Sequence, residues 1–232
     1  MQLCLLVVTL LVAAGQQPPA GFTPLFNGTD LSGWRGRQQD YSPYEEAKLT
    51  KDDLAARQAQ WNADRDQHWR VDPATHELVS DGHGVFLATD RNYADFELVI
   101  DWKMVEHNGD SGVYIRAFPQ VQIWDPENPK EVKNGAPKGS GALWNDNADN
   151  PGKWPLVKAD NPVGEWNTFR IRVVGDKVSV WLNGKQTVDA QVLDNYFDRA
   201  QPVLPSGPIE LQTHGSEMRF RNIYVREIRG GK

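Results

Sequence analysis

The sequence contains very little cysteine: Cys4 is the only one in 232 residues. It precedes the apolar stretch at the start of the chain, a poor position for lipid attachment. Beyond that stretch there is no thiol, so the predicted mature protein has neither a disulfide nor a cysteine metal ligand.

Positive charge is also scarce. The 25 lysines and arginines are outnumbered by 31 aspartates and glutamates, which gives a formal net charge of −6. Proteins that hold a phosphate backbone need an excess of basic side chains. We therefore expect no nucleic-acid partner.

Long hydrophobic runs are missing as well. The apolar run from Leu3 to Ala14 is shorter than the roughly 20 residues that span a membrane, and small residues follow it. This pattern is typical of a secretory signal. It predicts a signal peptide over residues 1–15, a flexible lead over 16–21 and one domain over 22–229. The mature protein is then periplasmic or extracellular without a membrane span; an uncleaved N-terminal anchor is the alternative.

Two families of catalytic motif are absent. No Gly-x-Ser-x-Gly occurs, which argues against nucleophilic serine chemistry. The five histidines show neither His-x-His nor His-Glu-x-x-His spacing, so there is no transition-metal motif. Asp110, Asp125 and Glu127 leave open an oxygen-rich site for one divalent metal ion, although isolated acids are usually solvated surface groups.

What is present suits a single globular domain: 39% of the residues are hydrophobic and 24% are charged. Nine tryptophans are many for this length. Smaller apolar residues would fill a core equally well, so some of these rings are candidates for a binding cleft. A long loop region over residues 126–160 carries two of them, Trp144 and Trp154.

Most of the chain after His68 alternates between apolar and polar residues, as in Phe96–Met104 and Phe169–Val173. Asn183-Gly184 between two such segments predicts a tight hairpin. Many short strands without interleaved helices indicate an all-β antiparallel sandwich.

One helix interrupts this pattern near residues 50–66. Thr50 is suited to be its N-cap with Asp53 three residues later, and Leu54 and Trp61 lie on one stripe. We interpret this helix, from Lys51 to Asp66, as an insertion that packs on the edge of the sandwich, in preference to a catalytic element.

Two neighbouring strand segments place polar residues on one face. Alternation puts Val113, Ile115, Val121 and Ile123 toward the core. The opposite side then carries Tyr114, Arg116, Gln120, Gln122 and Trp124. Amides and a guanidinium group match sugar hydroxyls, and an aromatic ring covers the apolar face of a pyranose. This face predicts a saccharide ligand.

A third segment adds a titratable group. In Ile209–His214, alternation places Glu210, Gln212 and His214 on one face. The histidine changes charge near neutral pH, so this row is a candidate functional site. The alternative is an ordinary solvent-facing sheet surface, although such surfaces carry Lys, Glu and Thr more often than Gln, His, Tyr and Trp.

Several short blocks, in order along the chain, resemble the bacterial 3-keto-disaccharide hydrolase domain, formerly the domain of unknown function 1080. They are Phe22–Trp34, Asp110–Arg116, Val121–Asp125, Gly164–Asn167, Leu182–Gly184, Ile209–Gly215 and Phe220–Ile223. The resemblance implies a concanavalin A-like jelly-roll β-sandwich, and the helical insertion looks like that of a planctomycete-type subgroup. Many relatives carry Glu-x-Gln where this chain has Gln120-Val121-Gln122.

The resemblance also implies a chemistry. A ketone at C3 of a sugar acidifies the proton on C2, and the resulting enolate expels the C1 substituent, after which water adds. We expect His214 to act as the base and Arg116 and Gln122 as oxyanion or hydroxyl contacts. Glu210, Asp110 and Asp125 are the alternative base or metal ligands. Tyr114, Gln120, Gln212 and either Trp124 or Trp144 complete the expected sugar site.

The same residues leave two alternatives, a metal-assisted reaction and carbohydrate binding without cleavage. A divalent ion held by Asp110 and Asp125 would be an alternative way to stabilise the enolate. The same fold and face would also serve a lectin-like module that binds carbohydrate without cleaving it.

Overall fold

The computed structural model describes residues 17–228, so the predicted signal peptide lies outside the described residues. Short strands make up most of the fold. In chain order the strands and helices are β1 (Thr23–Pro24), β2 (Trp34–Arg37), α1 (Pro43–Glu46), α2 (Lys51–His68), β3 (Trp69–Val71), β4 (Leu78–Ser80), β5 (Phe86–Thr89), β6 (Phe96–Met104), β7 (Asp110–Ile115), β8 (Phe118–Trp124), β9 (Asn167–Val174), β10 (Lys177–Leu182), β11 (Lys185–Val192), β12 (Glu210–Leu211) and β13 (Met218–Glu227).

The strands form two antiparallel sheets. The larger has the order β11-β10-β9-β6-β13-β4-β3, with β1 added against β13, and the smaller has the order β2-β5-β12-β7-β8. The expected all-β jelly-roll sandwich is confirmed.

The core lies between the two sheets and follows the alternation of the strands. Phe169, Ile171 and Val173 of β9 are fully buried, while the intervening Arg170 and Arg172 are exposed. The predicted hairpin is also present: Asn183 and Gly184 join β10 to β11 with positive φ angles. Apolar side chains from both sheets thus form one hydrophobic core.

Helix α2 begins where the sequence predicts. The side-chain oxygen of Thr50 accepts a hydrogen bond from the backbone N–H of Asp53, which satisfies one of the free donors of the first turn. The helix continues to His68, two residues past the predicted end at Asp66. No helix within residues 17–228 is both long enough and apolar enough to cross a membrane.

This helix covers an open edge of the smaller sheet, as the sequence interpretation expected. The backbone N–H of Gly36 in β2 donates to Asn62 Oδ1 at 2.9 Å, and Gln58 Nε2 donates to the Gly36 carbonyl at 2.8 Å. Arg65 adds a bond to the Trp34 carbonyl. Side chains of the helix thus form hydrogen bonds with backbone N–H and C=O groups of β2. An exposed edge strand would leave these groups free to pair with another chain.

The close fit between α2 and β2 depends on a glycine. A Cβ atom at Gly36 would lie 2.1 Å from the backbone oxygen of Trp61. We expect Gly36→Ala to push the helix off the strand and to cost about 1–3 kcal/mol of unfolding free energy, measured by urea denaturation. Gln60→Ala, at an exposed position of the same helix, is the control and should be nearly neutral. Equal urea midpoints for the two variants would contradict this packing.

Candidate functional site

The face of the smaller sheet that points away from the core carries a grid of polar side chains, here called the polar face. Cross-strand register arranges it in three rows. They are Arg35, Ala88, Glu210, Tyr114 and Gln120; then Arg37, Phe86, Gln212, Gly112 and Gln122; then His214, Asp110 and Trp124. All five strands of the smaller sheet thus contribute to one surface.

In the third row, Asp110 and His214 form a pair. The Nδ1 atom of His214 lies 3.1 Å from Asp110 Oδ2, and 56% of the histidine side chain is exposed. The contact with Asp110 raises the pKa of His214, while burial raises the pKa of the Asp110 carboxyl. Because Nδ1 faces the carboxylate, the other ring nitrogen, Nε2, is the one that a ligand can reach.

A chain of amides holds this pair in place. Gln120 Nε2 donates to Gln122 Oε1 at 2.6 Å, and Gln122 Nε2 donates to Asp110 Oδ1 at the same distance. The Gln122 amide also bonds the backbone carbonyls of Ser111 and Ile123. Gln122 is fully buried, and its amide N–H groups are shared between Asp110 and these two carbonyls.

The first two rows contain a buried ion pair. Arg37 and Glu210 are each only 1% exposed, and Arg37 Nη1 lies 2.9 Å from Glu210 Oε1. Arg37 Nε also binds Glu46 of α1 at 2.8 Å. Burial raises the pKa of Glu210, and the nearby guanidinium opposes that rise. The Glu210 carboxylate is therefore on the predicted face but already has a partner.

Tyr114, next to Glu210 in its row, is buried and bound in a similar way. Its hydroxyl donates to Asp40 Oδ1 at 2.9 Å, and its ring packs against Phe86 with centroids 5.2 Å apart. Burial, followed by the charge of Asp40, raises the pKa of Tyr114 well above its ordinary value. The segment from Asp40 to Glu46 therefore covers the part of the polar face that Glu210 and Tyr114 occupy.

Arg116 requires a correction, because the structure does not place it on the polar face. β7 ends at Ile115, and Arg116 and Ala117 form the hairpin turn with φ angles of 56° and 61°. Its guanidinium donates to the carbonyls of Ala94 and Gly175. The alternation of a strand does not continue through such a turn, which is why the sequence pattern misplaced this side chain.

The two expected sugar platforms differ in access. Trp124 is 4% exposed and meets Trp144 edge to face, with ring centroids 5.9 Å apart. Trp144 is half-buried, and its indole N–H donates to the Asn134 carbonyl at 2.7 Å. Trp144, in the loop region, is thus the more accessible of the two rings, and Trp124 of β8 packs against it.

The two acids predicted as metal ligands have separate partners. Asp125 accepts from the backbone N–H groups of Asn108 and Glu127 and contacts His107, whereas Asp110 binds Gln122 and His214. Within residues 17–228 no group of three or more His, Cys, Asp or Glu side chains is arranged to hold a metal ion. The described residues therefore define no ligand set for the expected divalent ion.

Sequence reasoning missed four members of this site. Arg35 and Arg37 alternate in Trp34–Arg37, so the same strand pattern would have placed them on a common face. Asp40 lies in a loop, and nothing in its neighbourhood indicated the contact with Tyr114. Gly112 drew no attention because it has no side chain.

Fold and site together define a β-sandwich whose smaller sheet presents a polar, partly aromatic face. The chain belongs to the 3-keto-α-glucoside-1,2-lyase-like domain family, whose model matches residues 21–226. This membership makes it a carbohydrate-active protein and confirms the resemblance seen in the sequence; the planctomycete-type subgroup stays a prediction.

Individual relatives agree with this assignment. A 3-keto-disaccharide hydrolase of Bacteroides thetaiotaomicron is 22% identical over an alignment of length 253, which covers 90% of this chain and 79% of the relative. A crystal structure of a candidate glycosyl hydrolase from Parabacteroides distasonis matches with a TM-score of 0.61 and 22% identity, covering 90% of this chain and 94% of that one. A second such structure from the same organism matches with a TM-score of 0.53 and 25% identity, over 70% and 91% of the chains.

The buried ion pair makes a specific prediction about stability. Arg37→Met leaves the Glu210 carboxylate buried without a counter-charge, so we expect a loss of about 3–5 kcal/mol in urea unfolding. The double variant Arg37→Met/Glu210→Met should recover much of this loss, because it removes both charges. Strictly additive losses in the two single variants and the double variant would show that the pair does not act as a unit.

Proposed function

We propose that the protein is an enzyme that cleaves the glycosidic bond of 3-keto-glycosides, with Nε2 of His214 as the base that removes the C2 proton. One observation carries this proposal: the Asp110–His214 pair, whose histidine side chain is more than half exposed, stands on a polar sheet face in a carbohydrate-active family. The related 3-keto-disaccharide hydrolase of B. thetaiotaomicron supports the same class of substrate.

The reaction follows from the acidity that a ketone gives to its neighbours. With the ketone at C3, neutral His214 takes the C2 proton, and the electron pair of the C–H bond forms an enolate over C2 and C3. Collapse of the enolate breaks the bond between C1 and the leaving oxygen, which takes a proton to leave as an alcohol. Water then adds across C1 and C2, so the sum of the steps is hydrolysis.

Asp110 supports this base without touching the substrate. Its carboxylate accepts a hydrogen bond from Nδ1–H of His214 and so keeps the lone pair on Nε2, and it stabilises the imidazolium that forms after proton transfer. Gln120 and Gln122 in turn fix Asp110 through their two short bonds. We therefore assign Gln122, expected to contact an oxyanion or hydroxyl, a positioning role.

Glu210 is a poorer candidate for the base. Arg37 binds its carboxylate, and Glu210 itself is 1% exposed, whereas the His214 side chain is more than half exposed. A buried carboxylate with a bound arginine has neither access to a sugar proton nor a free charge. His214 is accessible at the same face, so the proton transfer is assigned to it.

A requirement for a divalent ion and the export of the protein are also proposals. The ion, if required, would assist enolate formation, and the experiment below tests for it with a chelator. Export to the periplasm or beyond the cell rests on the apolar N-terminal run in the sequence.

The decisive experiment follows a 3-keto-α-glucoside by NMR in D₂O. We expect cleavage accompanied by deuterium at C2 of the sugar product, because proton removal at C2 is obligatory; the unoxidised α-glucoside should remain intact. Parallel samples contain a chelator or an added divalent salt, and loss of turnover only with the chelator would establish a metal requirement. Saturable binding with no cleavage in any sample would instead identify a lectin-like module.

A histidine substitution tests the base directly. His214→Asn should lower kcat for the 3-keto-α-glucoside by about 10²- to 10⁴-fold, the usual contribution of a general base. The chain offers a matched control, because His107 Nδ1 lies 3.1 Å from Asp125 Oδ2 and 62% of its side chain is exposed. His107→Asn should leave kcat unchanged; equal losses in both variants would remove His214 from the role.

The pH dependence gives a further prediction. Only neutral His214 accepts a proton, so kcat/KM should rise with pH through the histidine's pKa, which Asp110 raises above 6.5. Asp110→Asn removes the cause of that rise, so the ascending limb should move to lower pH while the plateau falls by between about tenfold and 10⁴-fold. Asp125→Asn should keep the original profile. An unshifted limb in the Asp110 variant would assign the titration to another group.

A further inference from the structure

The surface of the larger sheet that points away from the core carries an excess of positive charge. Strands β6, β9 and β13 lie at its centre, and alternation turns six basic and two acidic side chains outward from them. The acids are Glu97 and Asp101, and the basic residues are Lys103, Arg170, Arg172, Arg219, Arg221 and Arg226. Because the whole chain has a net charge of −6, this excess is a property of one face.

Buried carboxylates lie beneath most of these basic residues. Arg219 is compensated by three acids from neighbouring segments, which are Asp72, Glu77 and Glu217. The other five basic residues, here called the basic face, have Glu97 and Asp101 among them, and these two acids are only 2% and 8% exposed. The layer that solvent reaches is therefore cationic.

Glu97 holds two arginines in place. Nε of Arg170 donates to Glu97 Oε1, and Nη2 of Arg226 donates to Glu97 Oε2 at 2.5 Å. Each guanidinium group also lies over an aromatic ring, 4.8 Å from the centroid of Trp181 for Arg170 and of Phe22 for Arg226. The two arginine side chains are 50% and 43% exposed. A guanidinium group has five N–H donors, so these fixed groups keep donors on their exposed edges.

Asp101 holds a third arginine in the same manner. Arg221 Nε lies 3.4 Å from Asp101 Oδ2, and the guanidinium carbon is 3.9 Å from the centroid of Trp166. Lys103 Nζ lies 4.6 Å from the centroid of the same ring. An ion pair and a cation–π contact together restrict the Arg221 side chain, which is 39% exposed. The same arrangement thus occurs at two places on the face.

The spacing of these two places suits an extended anionic ligand. Glu97 and Asp101 are four residues apart on β6, which corresponds to about 13 Å along the strand. Arginine binds carboxylates with paired N–H donors. Arg172, exposed and opposite Glu97 in the sheet register, adds a further cation. A polymer that carries carboxylates at regular intervals therefore reaches both places at once.

A protein surface, a bilayer or a nucleic acid fits this face less well. Stable protein interfaces have an apolar or aromatic centre, and interfacial membrane segments insert apolar side chains. Within residues 17–228 the exposed large apolar side chains lie outside the three central strands; they are Val132, Leu156, Val157, Val192 and Tyr196. Cations lie over the rings of Trp166 and Trp181. Nucleic-acid-binding domains carry a basic excess, whereas this chain is acidic.

We propose that the basic face is a second carbohydrate-binding surface, which holds an acidic polysaccharide by its carboxylate groups. Membership in a carbohydrate-active family agrees with a polymer of sugars as the partner. The basic face belongs to the larger sheet and the Asp110–His214 pair to the smaller one, so a polymer bound there leaves the polar face uncovered. This inference therefore does not depend on the proposed reaction.

The test measures binding of the protein to polygalacturonate by isothermal titration calorimetry. The fully methyl-esterified polymer, which has the same backbone without the charge, is the matched ligand. We expect saturable binding of the acidic polymer at about 0.1 M salt, loss of binding at about 1 M salt, where exposed charges are screened, and no binding of the ester. Arg170→Gln/Arg221→Gln should raise Kd about tenfold, because it removes one fixed guanidinium group from each place.

Two further variants serve as controls. Arg57 of α2 is also exposed and lies over a ring, 5.9 Å from the centroid of Tyr41, so Arg57→Gln removes a similar charge elsewhere and should leave Kd unchanged. Arg172→Gln leaves the contacts of Glu97 and Asp101 intact and should raise Kd about threefold. It decides the question if the double variant proves less stable than the wild type.

The contrary results are equally definite. Equal affinity for the acid and its methyl ester, equal losses in the Arg57 and Arg172 variants, or no binding of polygalacturonate would overturn the inference. Tighter binding of duplex DNA or of phosphatidylglycerol vesicles than of polygalacturonate would also overturn it. Polymer binding by a protein that does not cleave a 3-keto-α-glucoside would uphold the basic face while the proposed function fails.

Discussion

The buried ion pair of Arg37 and Glu210 is the interaction on which the arrangement of the polar face depends. It joins an edge strand to the middle strand of the smaller sheet across 173 residues of sequence. Two charges removed from water are tolerated only when each is closely compensated. Glu46 supplies a further carboxylate to Arg37 and so ties helix α1 to the same pair. The ion pair therefore fixes both the sheet register and the segment that lies over it.

This constraint divides the polar face by chemistry. Some of its groups are paired with one another: Arg37 with Glu210, and Tyr114 with Asp40. Others are not fully paired within the protein: Gln120 retains an unpaired oxygen, and more than half of the His214 side chain is exposed. Groups that already satisfy one another add stability but cannot respond to a ligand, whereas unsatisfied groups favour one. The same sheet face thus carries both groups that satisfy one another and groups that a ligand could still satisfy.

Strand alternation explains how much of this was visible in the sequence. It placed Tyr114, Gln120, Gln122 and Trp124 on one face and the row from Glu210 to His214 beside them, because the side-chain period of a strand is fixed by its geometry. It failed at Arg116, where two residues with positive φ end the strand. It could not show that Glu210 is neutralised, since its partner is distant in sequence, nor which amide oxygens lack a donor. Those properties arise only when strands from different parts of the chain meet.

Many relatives have glutamate where this chain has Gln120, and the hydrogen bonds around Asp110 depend on that difference. A glutamine amide donates to Gln122 Oε1, and Gln122 then has its own amide directed at Asp110. An ionised glutamate in the same place would offer only acceptors to Gln122 and would add a negative charge close to Asp110. The order of donors from Gln120 to Asp110 is therefore set by an amide at position 120. With a neutral neighbour, Asp110 is the carboxylate that contacts His214 and raises its pKa. The departure from the family pattern is thus compatible with the contact between Asp110 and His214.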